Sequence, residues 1–169
     1  ELSRGAYSEN TMRAIRSDTA IFASWCAETA HIYGPPTSPE TVAAFVDAMG
    51  ETRKPATVSR YVASIDHLHR ALDLPVPGAS NAVRLALRRL RRAKGTRQDQ
   101  AKPLRWTTIQ KALDRMGDDL IDLRDAALIS LAYDTFARAS ELVAVNVGDI
   151  HSDVDGATCY IARSKTDQE

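Results

Sequence analysis

Along the first ninety or so residues apolar positions return every three or four places, and each stripe is cut off by residues that cannot continue a helix. Met12, Ile15, Phe22, Trp25 and Cys26 recur at helical intervals from residue 8 to about 33, where Gly34-Pro35-Pro36 predicts a stop. Ser38-Pro39-Glu40 then supplies a capping hydroxyl, a proline at the first helical position and an acid in the first turn. Val42, Phe45, Val46 and Met49 are the apolar stripe of this second helix, and Gly50 is its expected end. A third helix is predicted over about 56–73, burying Val58, Tyr61, Val62, Ile65, Leu68 and Leu72, until Leu74-Pro75-Val76-Pro77-Gly78 forbids continuation. Ser80 or Asn81 caps a fourth, with Val83, Leu87 and Leu90 on one side and Arg84, Arg88, Arg91 and Arg92 mostly facing elsewhere. Four amphipathic helices joined by short connections predict a compact bundle.

The periodicity lapses over 95–103, a stretch rich in Lys, Arg, Gln and Gly that has the character of an inter-domain linker. Beyond it, Thr107 or Thr108 is placed to cap a short helix through Met116, residues 122–136 predict a longer buried helix, and 140–145 add another turn or two. The turn Asp153-Val154-Asp155-Gly156, between Asp149-Ile150 and the run over 158–162, predicts a β-hairpin. The expected fold is therefore mainly α: a helical domain over 1–94, the linker, and an α+β unit over 104–169.

Composition alters this picture in two respects. A chain of 169 residues, 44% hydrophobic, is long enough for one good core or two small ones. The formal net charge is zero, from 22 basic and 22 acidic residues, yet the charges are segregated. Residues 84–105 hold nine Lys or Arg against the single acid Asp99, whereas 114–125 hold five Asp against two Arg. Cys26 and Cys159 are far apart and lack metal-ligand spacing, which argues against a zinc site or a disulfide framework and predicts two buried, reduced thiols. No run of eighteen apolar residues and no leader pattern is present, so a cytoplasmic protein is expected and no membrane partner is. Because it opens on Glu1 and stops at Gln168-Glu169 directly after a strand-like run, the chain reads as part of something longer.

Four features carry possible chemistry. The Arg-rich helix and linker place several guanidinium groups where they could neutralise a run of phosphates, although a solvated basic helix would look the same. On the third helix, Thr57, Ser59, Arg60 and Ser64 oppose the apolar stripe. Short polar side chains with one arginine suit a major groove, where Arg pairs with guanine O6 and N7, but many solvent-facing helices share that composition. In Asp134-Thr135-Phe136-Ala137-Arg138-Ala139-Ser140-Glu141-Leu142 a helix breaks, and an arginine and a glutamate three residues apart fall on one face; a surface ion pair would read identically. Finally, Ile161-Ala162-Arg163-Ser164-Lys165-Thr166 runs out into a basic turn whose lysine becomes interesting only if the fold brings it near Arg138.

Taken in order, these pieces resemble the tyrosine site-specific recombinases of the phage integrase family, and its Cre-like members in particular. Ser8-Glu9-Asn10-Thr11 leading to Trp25-Cys26, Leu74-Pro75, Ser80-Asn81-Ala82-Val83 and Arg88-Arg89-Leu90-Arg91 resemble the core-binding domain. Ala132-Tyr133-Asp134-Thr135 with Arg138-Ala139-Ser140-Glu141-Leu142 resembles the family's first arginine box, and Arg163-Ser164-Lys165-Thr166 its lysine hairpin. The resemblance implies a four- to five-helix, SAM-like core-binding bundle followed by the start of an α+β catalytic domain. It implies double-stranded DNA as the partner, a homotetramer on DNA for the intact protein, a bacterial, phage or plasmid setting, and no cofactor or metal. By the same resemblance Arg138, Glu141 and Lys165 would be catalytic, Arg124 would anchor a phosphate, and Arg13, Ser59 and Arg60 would face the major groove, with Arg88, Arg89 and Arg91 on the backbone. The family's second arginine box and nucleophilic tyrosine have no counterpart up to residue 169, so Tyr133 and Tyr160 are expected in the core. These 169 residues are expected to bind DNA without cutting it, recombination belonging to the intact protein. A non-catalytic DNA-binding module, or a truncated competitor of a full recombinase, is the alternative.

Overall fold

A computed structural model describes residues 7–97 and 100–162. Among them the protein is mainly helical, with one two-stranded antiparallel sheet, and the chain divides into two compact units, Glu1–Asp99 and Gln100–Glu169. No helix among the described residues is long and apolar enough to cross a membrane.

The first unit comprises α1 (Glu9–Glu28), α2 (Pro39–Thr52), α3 (Pro55–Ala71) and α4 (Asn81–Lys94). Ser8, Ser38 and Ser80 cap α1, α2 and α4, each hydroxyl accepting from the backbone N–H three residues on. Pro39 and Pro55 occupy first helical positions, where a missing N–H costs nothing. Phe22, Trp25, Cys26, Phe45, Val58, Tyr61, Ile65, Val83 and Leu90 interlock in one core, with Phe22 and Phe45 edge to face at 4.9 Å. Burial of each large side chain contributes roughly 1.5–3 kcal/mol. Trp25 also stacks on His31 at 4.7 Å. The Cys26 thiol is fully buried, and desolvation pushes its pKa above the usual thiol value.

Several expected boundaries move. Helix α1 ends at Glu28 rather than near residue 33, because the Thr29 hydroxyl donates to the Trp25 carbonyl and Ala30 turns left-handed at φ 55°. Gly50 does not end α2 but lies buried inside it, where a Cβ would stand 3.0 Å from Leu90 Cδ1; its smallness lets α2 and α4 approach. With α3 finished at Ala71, Leu72 is exposed and Leu68 only half-buried. Ser64 belongs to the interior rather than the outer face, its hydroxyl donating to Asp18 Oδ2 at 2.8 Å. His69, also buried, accepts from the Thr37 N–H at Nε2 and sits 2.9 Å from the Ile65 carbonyl at Nδ1, which fixes Nδ1 as the protonated nitrogen.

The second unit holds α5 (Trp106–Leu113), α6 (Leu120–Thr135), the single-turn α7 (Ala139–Leu142), and strands β1 (Ile150–Ser152) and β2 (Ala157–Cys159). Neither Thr107 nor Thr108 caps α5; both lie within it, and the cap position is Arg105, without a side-chain bond. Asp119 caps α6 by accepting from the N–H groups of Ile121 and Asp122. Contrary to its expected burial, α6 has no buried residue: it packs against α5 and α7, and Leu120, Ile121 and Leu123 stand exposed. The hairpin pairs Ile150 with Cys159 and Ser152 with Ala157, closed by the Asp153 N–H donating to the Gly156 carbonyl. Tyr160 is 63% exposed, because β2 ends at Cys159 and the hairpin presents its strands to solvent, and Tyr133 is only half-buried because it lies on the thinly covered α6, beside Trp106 and Phe136. Cys159 is likewise only partly covered. Among the described residues of this unit, only Ile109 and Glu141 are buried.

Candidate nucleic-acid interface

The basic helix α4 does not point all its arginines one way. Its capping serine starts it, Val83, Ala86 and Leu90 turn inward, and Gly95, at φ 73°, ends it where a side chain would be strained. Arg89 reaches back to α2 and donates twice to Asp47, at 2.8 and 3.1 Å. Arg91 turns the other way and donates to Ser59 Oγ at 3.2 Å. Arg88 lines a smaller hollow of about 300 Å³ with Arg84, Leu87 and Arg91.

Where the end of α4 meets the start of α3 lies an open hollow of about 920 Å³. Arg53, Lys54, Arg91, Lys94 and Arg97 line it, together with Thr57 and Ser59, and none of its lining residues among those described is an acid. The amino terminus of α3 adds the partial positive charge of its first N–H groups. Lys94 is held there by donating to the Glu51 and Arg53 carbonyls at the end of α2, so the cation also fastens two helices. The sequence reading picked out Thr57, Ser59 and Arg91 and counted Lys94 and Arg97 in the basic stretch, but missed Arg53 and Lys54; the basic pair before Pro55 was the available signal, and only the fold shows which helix end it faces.

Arg60 follows Ser59 on α3 and is 54% exposed, with Nη2 3.0 Å from Asp18 Oδ1 and its guanidinium carbon 5.6 Å above the Tyr61 ring. Asp18 is 1% exposed. The contact is an ion pair without an aligned hydrogen bond, since Oδ1 has no hydrogen-bonding partner. Asp18 was also missed, although its place on the apolar stripe, three after Ile15 and four before Phe22, marks it as an anomaly. Arg13, on α1, is exposed and donates to Asn10 Oδ1 at 2.9 Å.

In the second unit Phe136 ends α6 in the left-handed region at φ 52°, 85% exposed, and the chain turns directly into α7. Arg138 is the first cap of α7 and Glu141 its third residue. Glu141 is buried and grips Arg138 twice: Oε2 accepts from the Arg138 backbone N–H at 2.7 Å and Oε1 from Nη1 at 2.8 Å. The guanidinium is thereby set in one orientation while half its surface stays accessible. Arg124, on α6, is 63% exposed and donates to its neighbour Asp125 at 2.7 and 2.8 Å. Lys165 lies outside the described residues.

No protein-family model matches the chain. It is 33% identical over 164 residues, 95% of its length, to an integrase/recombinase XerD homologue of Selenomonas ruminantium, of which it covers 48%. It is 32% identical over 173 aligned positions, 96% of its length, to the Cre recombinase of Escherichia phage P1, of which it covers 49%. The chain thus spans about half the length of these curated relatives.

Proposed function

The chain belongs to the tyrosine recombinase family, and from that premise we propose that it is the DNA-gripping front half of a site-specific recombinase. In this reading residues 1–94 are the core-binding domain, 95–103 a linker and 104–169 the opening half of a catalytic domain. The observation that carries it is the doubly held Arg138. A fixed guanidinium offers two parallel donors to a phosphate, and a phosphorane-like transition state gathers negative charge on the oxygens those donors meet. A buried glutamate that fixes the arginine before substrate arrives removes reorganisation from the chemical step.

The reaction is attack by a tyrosine hydroxyl on the scissile phosphate, giving a 3′-phosphotyrosyl link and a free 5′-hydroxyl that later attacks a partner strand. Lys165 is proposed to protonate the departing 5′-oxygen, and Arg124 to hold a neighbouring phosphate once the duplex draws it from Asp125. Residues 1–169 alone bind duplex and cut nothing; a tetramer forms on DNA when the intact protein does the chemistry. The hollow between α3 and α4 takes the sugar–phosphate backbone, with Arg13, Ser59 and Arg60 toward the groove and Arg88 and Arg89 flanking.

Binding of the 169-residue chain to duplex DNA should weaken steeply with salt, log K falling by roughly 0.9 per phosphate neutralised for each unit of log salt. Arg88→Ala with Arg91→Ala should lower both affinity and slope. Affinity indifferent to salt would defeat the duplex reading. For the chemistry, a suicide duplex should trap a covalent adduct with the intact protein; Arg138→Ala should abolish that adduct while binding persists, and an undiminished adduct would remove Arg138 from the mechanism.

A further inference from the structure

Position 18 sits on the apolar stripe of α1 and is 1% exposed, yet it carries a carboxylate. Burying a charge is costly unless it is paired, and an apolar residue of similar size would pack there without that cost. An acid beside a surface meant for a polyanion is also unfavourable for affinity. The carboxylate therefore serves something other than packing or attraction. Its two oxygens divide their work: Oδ2 accepts from the Ser64 hydroxyl at 2.8 Å, which fixes the carboxylate plane, and Oδ1 faces Arg60 Nη2 at 3.0 Å.

Arg60 is the group that benefits. It stands one helical turn from Ala56 and Thr57 and next to Ser59, all three of which line the cationic hollow. The Tyr61 ring limits its side chain from one side and Asp18 from beneath, while more than half of that side chain remains exposed. Its contact with Asp18 Oδ1 is an ion pair without an aligned hydrogen bond, so that contact restrains the guanidinium without consuming its donors.

We infer that Asp18 is a positioning residue that holds Arg60 in one orientation at the rim of the hollow, so that Arg60 selects one base, by its donor pattern a guanine, in the bound duplex. The inference rests on the duplex-binding reading above and adds to it the source of specificity at one position. Because the pair is neutral, Arg60 contributes discrimination rather than bulk attraction. Pre-organisation matters here because a free arginine loses several rotors on forming a two-donor contact, whereas a buttressed one does not.

The test uses the 169-residue chain and a pool of duplexes with randomised interiors. After selection, affinities are measured for the selected duplex and for versions altered at each base pair. Asp18→Asn should lower the preference at one position roughly tenfold, the scale of a fixed two-donor contact. Affinity for unselected duplex should stay level or rise, since an acid has gone. Arg60→Ala should erase the same preference, and Asp18→Asn should then change nothing further. Circular dichroism and melting establish which variants fold; should Asp18→Asn not fold, Ser64→Ala, which loosens the carboxylate but keeps the charge pair, must weaken the same position. A folded variant with its preference intact, a loss spread evenly over all positions, or an Asp18 effect that persists without Arg60 would each overturn the inference while leaving duplex binding standing. A wild-type chain that binds no duplex would overturn both.

Discussion

At Gly78 the backbone N–H donates to Asp66 Oδ1 at 2.8 Å, and a Cβ on residue 78 would overlap that carboxylate. Gly78→Ala should therefore destabilise the protein by about 1–3 kcal/mol, as overpacking beside a buried group does. A urea titration should show a lower midpoint with an unchanged slope; an unaltered midpoint would mean the Asp66 side chain moves aside freely. Single residues are also where reading the sequence fell short. Arg138 and Glu141 were legible, because a three-residue spacing beyond a helix break puts them on one face. Ser64 was assigned to the outer surface because polar residues usually lie there, and only the α1–α3 contact reveals that its hydroxyl answers Asp18. Arg60 and Arg89 were read as facing DNA, and the fold adds that each also faces an aspartate distant in sequence. Such pairings depend on which helices touch, which local periodicity does not encode.

Helices announced themselves where caps and prolines act locally, so the starts of α2, α3 and α4 fall within a residue or so of expectation. Ends were harder to read. A glycine ordinarily signals a stop, but Gly50 stays helical because its missing side chain is what the α2–α4 crossing requires. Gly50→Val should cost about 1–3 kcal/mol through overpacking. Coupling identifies the cause: in a double-mutant cycle, Leu90→Ala should relieve part of that cost, and strictly additive losses would show that the two helices do not meet there. In α6 the apolar run suggested burial, yet a helix is covered only by what packs on it. Among the described residues, α5 and α7 leave its first turn in solvent.

For the molecule as a whole, the two units differ in how much apolar surface each encloses. The first has a continuous core of aromatic and branched side chains, while the described part of the second buries only Ile109 and Glu141. Native-state amide exchange should accordingly be slowest in α2, α3 and α4 and much faster through α6 and the hairpin. Equal protection in both units would contradict that ranking. The zero net charge says nothing of this division, nor of the basic hollow that one unit carries. The placement of the two tryptophans makes the difference optically visible. Trp25 is enclosed by Phe22 and Phe45 and stacked on an imidazole, whereas Trp106 is 45% exposed beside Tyr133. Fluorescence from the first should lie to the blue and escape iodide, while the second emits further to the red and is quenched from the outset. A red shift on warming or adding urea will therefore time the opening of the helical bundle alone.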